Sequence, residues 1–524
     1  MDRVKEAEKY LMAIDAGTGS VRAVLFTTDG EQISVAQREW SHLEEEGVPH
    51  SMSFDFKENW CLVCECIDTS IKNANIDPQD ILALSATSMR EAIILYDDEG
   101  KELWGVANVD ARASEEVKYL KEHYAGIEEE FYRESGQTFA LGALPRLLWL
   151  KNNRKELYDR VSSLSMIGDW ILTKLSGVAA SDPSNAGTTG IFSLSKRQWA
   201  SEMAQRVGIK SDIFPPVLEV GTPMGSVRDR STLLHVTTQV VMGGGDVQLG
   251  SAGLGVVKEG DVAVLGGSFW QQVVNISATT PTPKDMNIRV NPHVVDGLSQ
   301  AEGITFFSGL VMRWFRDAFC EVEQAQAQES GLDVYEILEQ KAGRVPVGSH
   351  SIMPIFSDSM KYSKWYHAAP SFLNLSIDPA ICNRASMFRS LEENAAIVSS
   401  INLENIKSFS GVEIEEIVFA GGASRGKLWS QILADVTGYR VKIPQVTEAT
   451  ALGAAMAAGV GCGVYSSLVS AAQTLVKWER VYEPNLENKK IYDRLKEEWS
   501  SAYEAQLALV DRGITTSMWQ APGL

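Results

Sequence analysis

LMAIDAGTGSVRAVLFTTDG, Leu11 to Gly30, is the stretch on which the fold turns. It reads as an apolar strand, a short loop of small polar residues, and a second apolar strand. A loop that only reversed the chain would need one or two glycines. This one gathers the carboxylate of Asp15, the hydroxyls of Thr18 and Ser20 and the guanidinium of Arg22 around Gly17 and Gly19. Such groups suit phosphate and a metal ion. The following turn, TTDGEQ, carries Asp29-Gly30, a strong hairpin signal, so a three-stranded meander ending in EQISVAQREW is expected.

Beyond the meander, a helix is expected from Asp55, with Asp55 and Glu58 as a capping pair. A strand ILALSAT, a loop SMRE and a hairpin in AIILYDDEGKEL follow, and helical patterns dominate from Ala113 to about Gly177. From Val262, VAVLGGSFWQQVVNIS again reads strand, glycine loop, strand. This weak repeat suggests two related halves. Between them lies VVMGGGDVQLGSAGLGVVKEGD, which places a boundary near Gly253 to Glu259 and domains at 1–255 and 256–524. A third loop, in IEEIVFAGGASRGKLWSQILADVTG, reads strand, loop, helix, as α/β folds present backbone N–H groups to phosphate. The expected class is α/β with two domains.

Composition narrows the function. The 524 residues are too many for one core, and 44% hydrophobic with 22% charged residues is ordinary for a globular protein. A net charge of −20 argues against a nucleic-acid or anionic-membrane surface as partner. A nucleotide can still be held by local N–H groups and a divalent ion. MDRVKEAEKYLMAIDAG has no apolar run before a cleavage site, so no secretory leader is expected and the compartment is read as cytoplasmic. ATALGAAMAAGVGCGVYSSLVSAA is long and uncharged, but Ala, Gly and Ser gain little in lipid; a buried helix approached closely by another backbone is expected. Six cysteines make no disulfide framework. Cys61, Cys64 and Cys66 include a CxxC, yet Trp60, Val63, Cys64, Ile67 and Ile71 share one helical stripe. Cys64 therefore reads as a core residue.

GGASRGKL has the GxxxxGK spacing at Gly421, Gly426 and Lys427, but Leu428 stands where a P-loop needs Ser or Thr for Mg²⁺. Three glycine loops spread over both halves, each after an apolar strand, suit a nucleotide held between two domains. The chemistry then needs a base. Asp246 in GGGDVQLG, at the junction, is the candidate; its alternative role is a helix cap.

DAGTGSVRA, GGGD, LGGSFW, FAGGASRGKLWSQILAD and EATALGAAMAAG occur in the order seen in the FGGY carbohydrate kinases, and the chain resembles that family over nearly its whole length. SMREAIILYDDEG, NVDARA, DPSNAGTTG, GGGDVQLG, GLVMRWFRDAFC and MPIFSDSM…WYHAAPSFLNLSIDP are similar to the branch that phosphorylates 4,5-dihydroxypentane-2,3-dione, from which a quorum-sensing signal forms. The resemblance implies two ribonuclease-H-like domains around a cleft, with ATP and Mg²⁺. It assigns Asp15, Gly17, Thr18, Gly19, Ser20 and Arg22 to the β/γ-phosphates, with Asp15 and Asp246 toward Mg²⁺ through water. Gly266, Gly267 and Ser268 form a second phosphate loop, and Gly309, Arg313, Gly421, Gly422 and Gly426 match nucleotide contacts. Asp246 matches the general base. Arg90, Glu91, Asp110 and Arg112 match substrate positions, with Trp270 as an aromatic wall. The sequence departs from the pattern at Gly267, where many relatives have Thr. It also departs from the glycerol enzymes at Arg313, Gly426 and Leu141, where they carry Gln, Asn and Tyr. The phosphocarrier protein of the sugar phosphotransferase system is implied as a partner, with no docking site legible. A kinase of a ketopentose or another polyol is the alternative within the class. An actin-like ATPase sensor is the alternative outside it, and Asp246 with Arg90 and Glu91 argues against that.

Overall fold

The computed structural model describes residues 8–140, 142–359 and 366–519. The meander is β1 (Tyr10–Ala16), β2 (Ser20–Thr27) and β3 (Gln32–Glu39), followed by α1 (Phe56–Ala74). Then come β4 (Ile81–Ser88), β5 (Pro223–Ser226), β6 (Gln239–Gly245) and α2 (Asp246–Gly253). The sheet order is β5-β6-β4-β1-β2-β3, with β1, β4 and β6 parallel. β1 is buried along its whole length, as expected of a central strand covered on both faces.

The second half repeats this plan with β7 (Val262–Gly266), β8 (Trp270–Ser277), β9 (Arg289–Pro292) and β10 (Leu298–Thr305). Helices follow, among them α3 (Ser308–Phe319), α4 (Val334–Ala342) and α5 (Arg384–Ser410). The half continues with β11 (Glu416–Ala420), α6 (Lys427–Thr437), β12 (Arg440–Pro444), α7 (Ala449–Gly461) and β13 (Trp478–Tyr482), and a long helix over Leu486–Asp511 then packs Tyr492, Trp499 and Tyr503 into its core. Its sheet order is β9-β10-β8-β7-β11-β12-β13, with β7, β11 and β12 parallel. So β7, β8, β10, β11 and β12 take the places of β1, β2, β3, β4 and β6, and the repeat read from sequence is a structural duplication.

Helices α2 and α7 cross between the sheets at backbone contact. A Cβ on Gly253 would lie 1.9 Å from the Ala449 carbonyl oxygen, and one on Gly453 1.9 Å from that of Leu249. Helix α7 lies on β1, β4 and β6, although it comes from the second half. Val247 and Leu254, at the two ends of α2, pack with Ala263, Val273 and Val418 of the second sheet. Each half thus contributes a helix to the other's core. The alanine-rich stretch divides: its first part is this crossing helix, which ends at Gly461, and its end lies in a separate short helix, Leu468–Leu475; no described helix is long and apolar enough to span a membrane.

Two details differ from the sequence reading. In α1, Asp55 accepts the N–H groups of Lys57 and Glu58, as expected, but the buried face is Asn59, Val63, Cys66, Ile67, Ser70 and Ile71. Cys66, not Cys64, is the core thiol, and Cys61 is exposed. Small polar side chains turn the stripe: Ser34 donates to the Ser70 carbonyl at 2.8 Å, a contact that hydrophobic periodicity does not register. The helical stretch after Ala113 is also interrupted by a strand, Ser163–Met166, which pairs with Ile93–Tyr96 over a separate helical core. Four residues are too few to break a periodic pattern.

Candidate active site

Open α/β sheets bind ligands beyond the carboxyl ends of their parallel strands. In the first sheet those ends are Ala16, Ser88 and Gly245, and the residues there are Asp15 to Ser20, Arg90 with Glu91, and Asp246. The parallel registers set Asp15 beside Thr87 and Ser88 beside Gly245, which brings the three loops together. In the second sheet the corresponding ends carry Gly266 to Ser268 and Gly421 to Gly426.

Asp246 is the first residue of α2; Gly245 holds the cap position. Its Oδ1 accepts the Val247 N–H at 2.8 Å, and 34% of the side chain is exposed. Burial pushes its carboxyl up to about 7, against the pull of Arg90, whose Nε lies 3.7 Å from Oδ1, and with a further push from the charge of Asp15. Burial likewise raises Asp15 to about 6, although Arg22 lies 3.0 Å away. Two desolvated carboxylates, the charge of Asp15 raising Asp246, are a donor set suited to a hydrated divalent cation. Arg22 also reaches Glu448 at 2.6 Å, just before α7, so it is held across the halves and is not a loose surface cation.

The Gly17 and Thr18 carbonyls accept from Trp40 Nε1 at 3.0 and 3.1 Å, and the Thr18 carbonyl also meets His42 Nε2 at 2.6 Å. In a trans peptide the next N–H points the opposite way, so the Thr18 and Gly19 amides face away from these rings. A Cβ on Gly19 would meet nothing within 4 Å. Neither packing nor a left-handed backbone demands glycine there. In the second half the loops pack on each other. A Cβ on Gly309 would lie 2.3 Å from the Gly267 oxygen, and Gly421, at φ +94°, backs onto Gly266. Ser268 is exposed, and its carbonyl accepts the Gly309 N–H at 3.1 Å. Arg313 lies on the exposed side of α3, one turn beyond Gly309.

Three assignments are corrected. Trp270 is no cleft wall: it is fully buried, with ring centroids 5.0 Å from Phe419 and 4.6 Å from Trp429. Successive strand residues face opposite ways, and the exposed aromatic beside the loop is Phe269. Asp110 and Arg112 pair with each other at 2.9 Å, with neither side chain exposed. Asp110 also accepts the Met52 N–H at 2.6 Å, and Arg112 lies over Trp104 and Trp149, so the pair braces its loop from behind. Gly426 is explained by Glu339 of α4, whose Oε1 would be 2.1 Å from a Cβ there. Glu339 accepts the Leu428 and Trp429 N–H groups at 3.3 and 3.4 Å. The anion position at the start of α6 is filled by a protein carboxylate. Leu141 lies outside the described residues.

The cleft also holds residues that sequence reading missed. Arg90 is 6% exposed and donates to Glu302 of β10 at 2.5 Å. The same oxygen of Glu302 accepts from Gln248 at 3.1 Å and Asn291 at 2.8 Å. Glu91 holds a left-handed backbone, φ 63°, and its carboxylate meets Arg289 of β9 at 2.5 Å. Burial pushes Glu91 up, but Arg289 and Arg90 outweigh it and leave the carboxyl below its ordinary value. A glutamate inside a strand, as in LSQAEGIT, was the available signal, since a buried charge requires a partner.

A duplicated α/β fold, glycine loops facing a junction from both halves, and a partly exposed carboxylate between them define a nucleotide-dependent phosphotransferase. The chain belongs to the FGGY family of carbohydrate kinases: it matches the family's N-terminal domain over residues 10–253 and its C-terminal domain over residues 272–462. It is 56% identical over 519 residues to an autoinducer-2 kinase of Enterobacter sp. (strain 638), covering 98% of each chain. It is 55% identical over 525 residues to the autoinducer-2 kinase of Escherichia coli (strain K12), covering 99% of each. Among solved structures it superposes on a gluconate kinase from Lactobacillus acidophilus with TM-score 0.84 at 19% identity, covering 97% of this chain and 100% of that one. A xylulose kinase from Rhodospirillum rubrum gives 0.84 at 21% identity, covering 96% and 100%. At such identities the likeness establishes the fold.

Proposed function

We propose that this chain transfers the γ-phosphoryl group of ATP to a hydroxyl of 4,5-dihydroxypentane-2,3-dione, the compound called autoinducer-2. The kinase chemistry rests on one observation: Asp246 stands partly exposed at the junction of the halves, with its carboxyl raised and Arg90 beside it. The choice of substrate is supported by the near-full-length identity to autoinducer-2 kinases.

In this reading Asp246 takes the proton of the attacking hydroxyl as its oxygen bonds to phosphorus and the bond to the ADP oxygen breaks. Arg90 and Glu91 orient the substrate's oxygens. The Thr18 and Gly19 amides hold phosphate oxygens from the first half, and Gly267 with Ser268 from the second. Asp15 and Asp246 would hold Mg²⁺ through water, which when bound supplies charge neutralisation at the phosphates. The reading carries the cytoplasm as the compartment, where ATP is supplied, and the phosphocarrier protein as a partner implied by resemblance.

The test is ADP release by the purified chain with ATP and Mg²⁺, with and without the dione. Release that requires the dione and disappears in Asp246→Asn supports the proposal. ATP hydrolysis that ignores every added polyol would instead favour the ATPase sensor.

A further inference from the structure

Glu302 lies inside β10, two positions after Gln300, so both side chains leave the strand on one face. Facing them is α2, where Gln248 and Ser251, three positions apart, share one side of the helix. Gln300 donates to Ser251 Oγ at 3.0 Å, and Gln248 Nε2 donates at 3.1 Å both to Gln300 Oε1 and to Glu302 Oε1. The same Glu302 oxygen accepts from Asn291 of β9 at 2.8 Å and from Arg90 Nη1 at 2.5 Å. One oxygen from the second half thus fixes both the helix that begins with Asp246 and the loop that carries Arg90. The ion pair is nearly sealed from solvent, with side chains 6% and 0% exposed. A buried pair of this kind returns little stability for its desolvation, so stability alone does not account for it. Its geometry does more. The guanidinium is planar, so a bond at Nη1 sets where Nε lies. Nε stands 3.7 Å from Asp246 Oδ1, near enough to act by charge and too far for a hydrogen bond.

We infer that Glu302 is a positioning residue for phosphoryl transfer: from the second half it holds Arg90 beside Asp246 and keeps the guanidinium from closing onto the base. The inference rests on the roles proposed above for Asp246 and Arg90, and adds the group that sets their spacing. Glu302 itself needs no contact with nucleotide or substrate. Three carboxylates act on the Arg90 guanidinium by charge: Glu302, Glu91 and Asp246. Glu91 is already bound to Arg289 at 2.5 Å. Without the Glu302 charge, Asp246 is the carboxylate toward which Arg90 is drawn. A two-bond pair there would occupy the oxygens of Asp246 and carry Arg90 from its present place. Glu302→Gln isolates the charge. Its amide oxygen can stand in the place of Oε1 for the three donors. Its amide nitrogen falls where Oε2 meets no donor among the described residues, so it displaces no bond.

The experiment is a double-mutant cycle on the full-length chain: wild type, Glu302→Gln, Arg90→Gln and the two combined. ADP release is followed at saturating Mg²⁺, with the dione and then ATP as the varied substrate. Glu302→Gln should lower kcat/KM for the dione at least about tenfold and change KM for ATP by less than about threefold. Added to Arg90→Gln, it should lower kcat/KM by less than about a further twofold, because what it positions is already gone. The combined variant should also melt above Glu302→Gln, since no guanidinium is left buried against a neutral side chain. Recovered melting without recovered turnover separates positioning from folding. Glu302→Asp, which keeps the charge and draws the carboxylate back by one methylene, carries the same comparison if Glu302→Gln does not fold. A loss that repeats in full on the Arg90→Gln background, or no loss on either, overturns the inference. Normal turnover in Arg90→Gln overturns it together with the role proposed for Arg90. If the wild type prefers xylulose, the substrate proposal fails separately, and the cycle is measured on xylulose.

Discussion

Asp246 and Asp15 are ionisable groups that the fold holds where charge is expensive, and their chemistry follows from that. Asp246→Asn keeps the shape and removes the base. Turnover should fall about 10²- to 10⁴-fold, with nucleotide affinity by calorimetry changed less than about threefold. Near-normal turnover would leave Asp246 as nothing more than a helix-start residue. With its carboxyl raised to about 7, kcat/KM should decline as pH falls below about 7 and steepen near 6, where Asp15 is raised. The sign for stability is the reverse. Both folded-state values lie above the unfolded ones, so their contribution is fully present below about pH 4 and is lost as pH rises through 6 to 7. Mg²⁺ with nucleotide should therefore raise the melting temperature more at pH 8 than at pH 5.5; an equal rise at both would separate these carboxylates from the cation. Asp15, Arg90, Glu91 and Asp246 were legible because each lies in a short motif at a strand end. Glu302 and Arg289 were not, because their partners lie 212 and 198 residues away in sequence.

At the scale of elements, periodicity found Val63, Ile67 and Ile71 on the buried face of α1 but missed the polar residues buried beside them. In α1 the polar residues Asn59 and Ser70 are buried alongside Cys66, so counting apolar positions chose Cys64. Cys66→Ala should cost on the order of 1 kcal/mol of stability in denaturant unfolding, and Cys61→Ser almost nothing. A larger loss at Cys61 would reverse the assignment of faces. The start of α6 teaches the same lesson. Its glycines have P-loop spacing, but the carboxylate that fills the site comes from α4, and only the fold brings Glu339 there. Glu339→Gln should lower stability by about 1 kcal/mol, as loss of a charged helix cap does, with ATP affinity changed less than about threefold. A large fall in ATP affinity would show that nucleotide, not Glu339, depends on this helix start. Trp270 was misplaced by one strand position, the smallest error that turns a side chain from cleft to core.

Across the whole molecule, the duplicated sheets were legible because both halves repeat strand, glycine loop, strand. The exchange of α2 and α7 between cores was not, since nothing in an alanine-rich helix says which sheet it covers. Arg90–Glu302, Glu91–Arg289 and Arg22–Glu448 draw the halves together around the cleft. ATP analogue and substrate together should draw the halves closer. X-ray scattering should then report a smaller radius of gyration, with slowed amide exchange around residues 253–259; unchanged profiles would count against a hinge there. The central claim is phosphorylation of the dione by ATP, and one measurement tests it most directly. Steady-state ADP release is followed with the dione, xylulose and glycerol in parallel, and kcat/KM is compared. The dione should exceed both others, and its product should carry one phosphoryl group. Faster turnover of xylulose or glycerol, or no phosphorylated dione, would contradict the account.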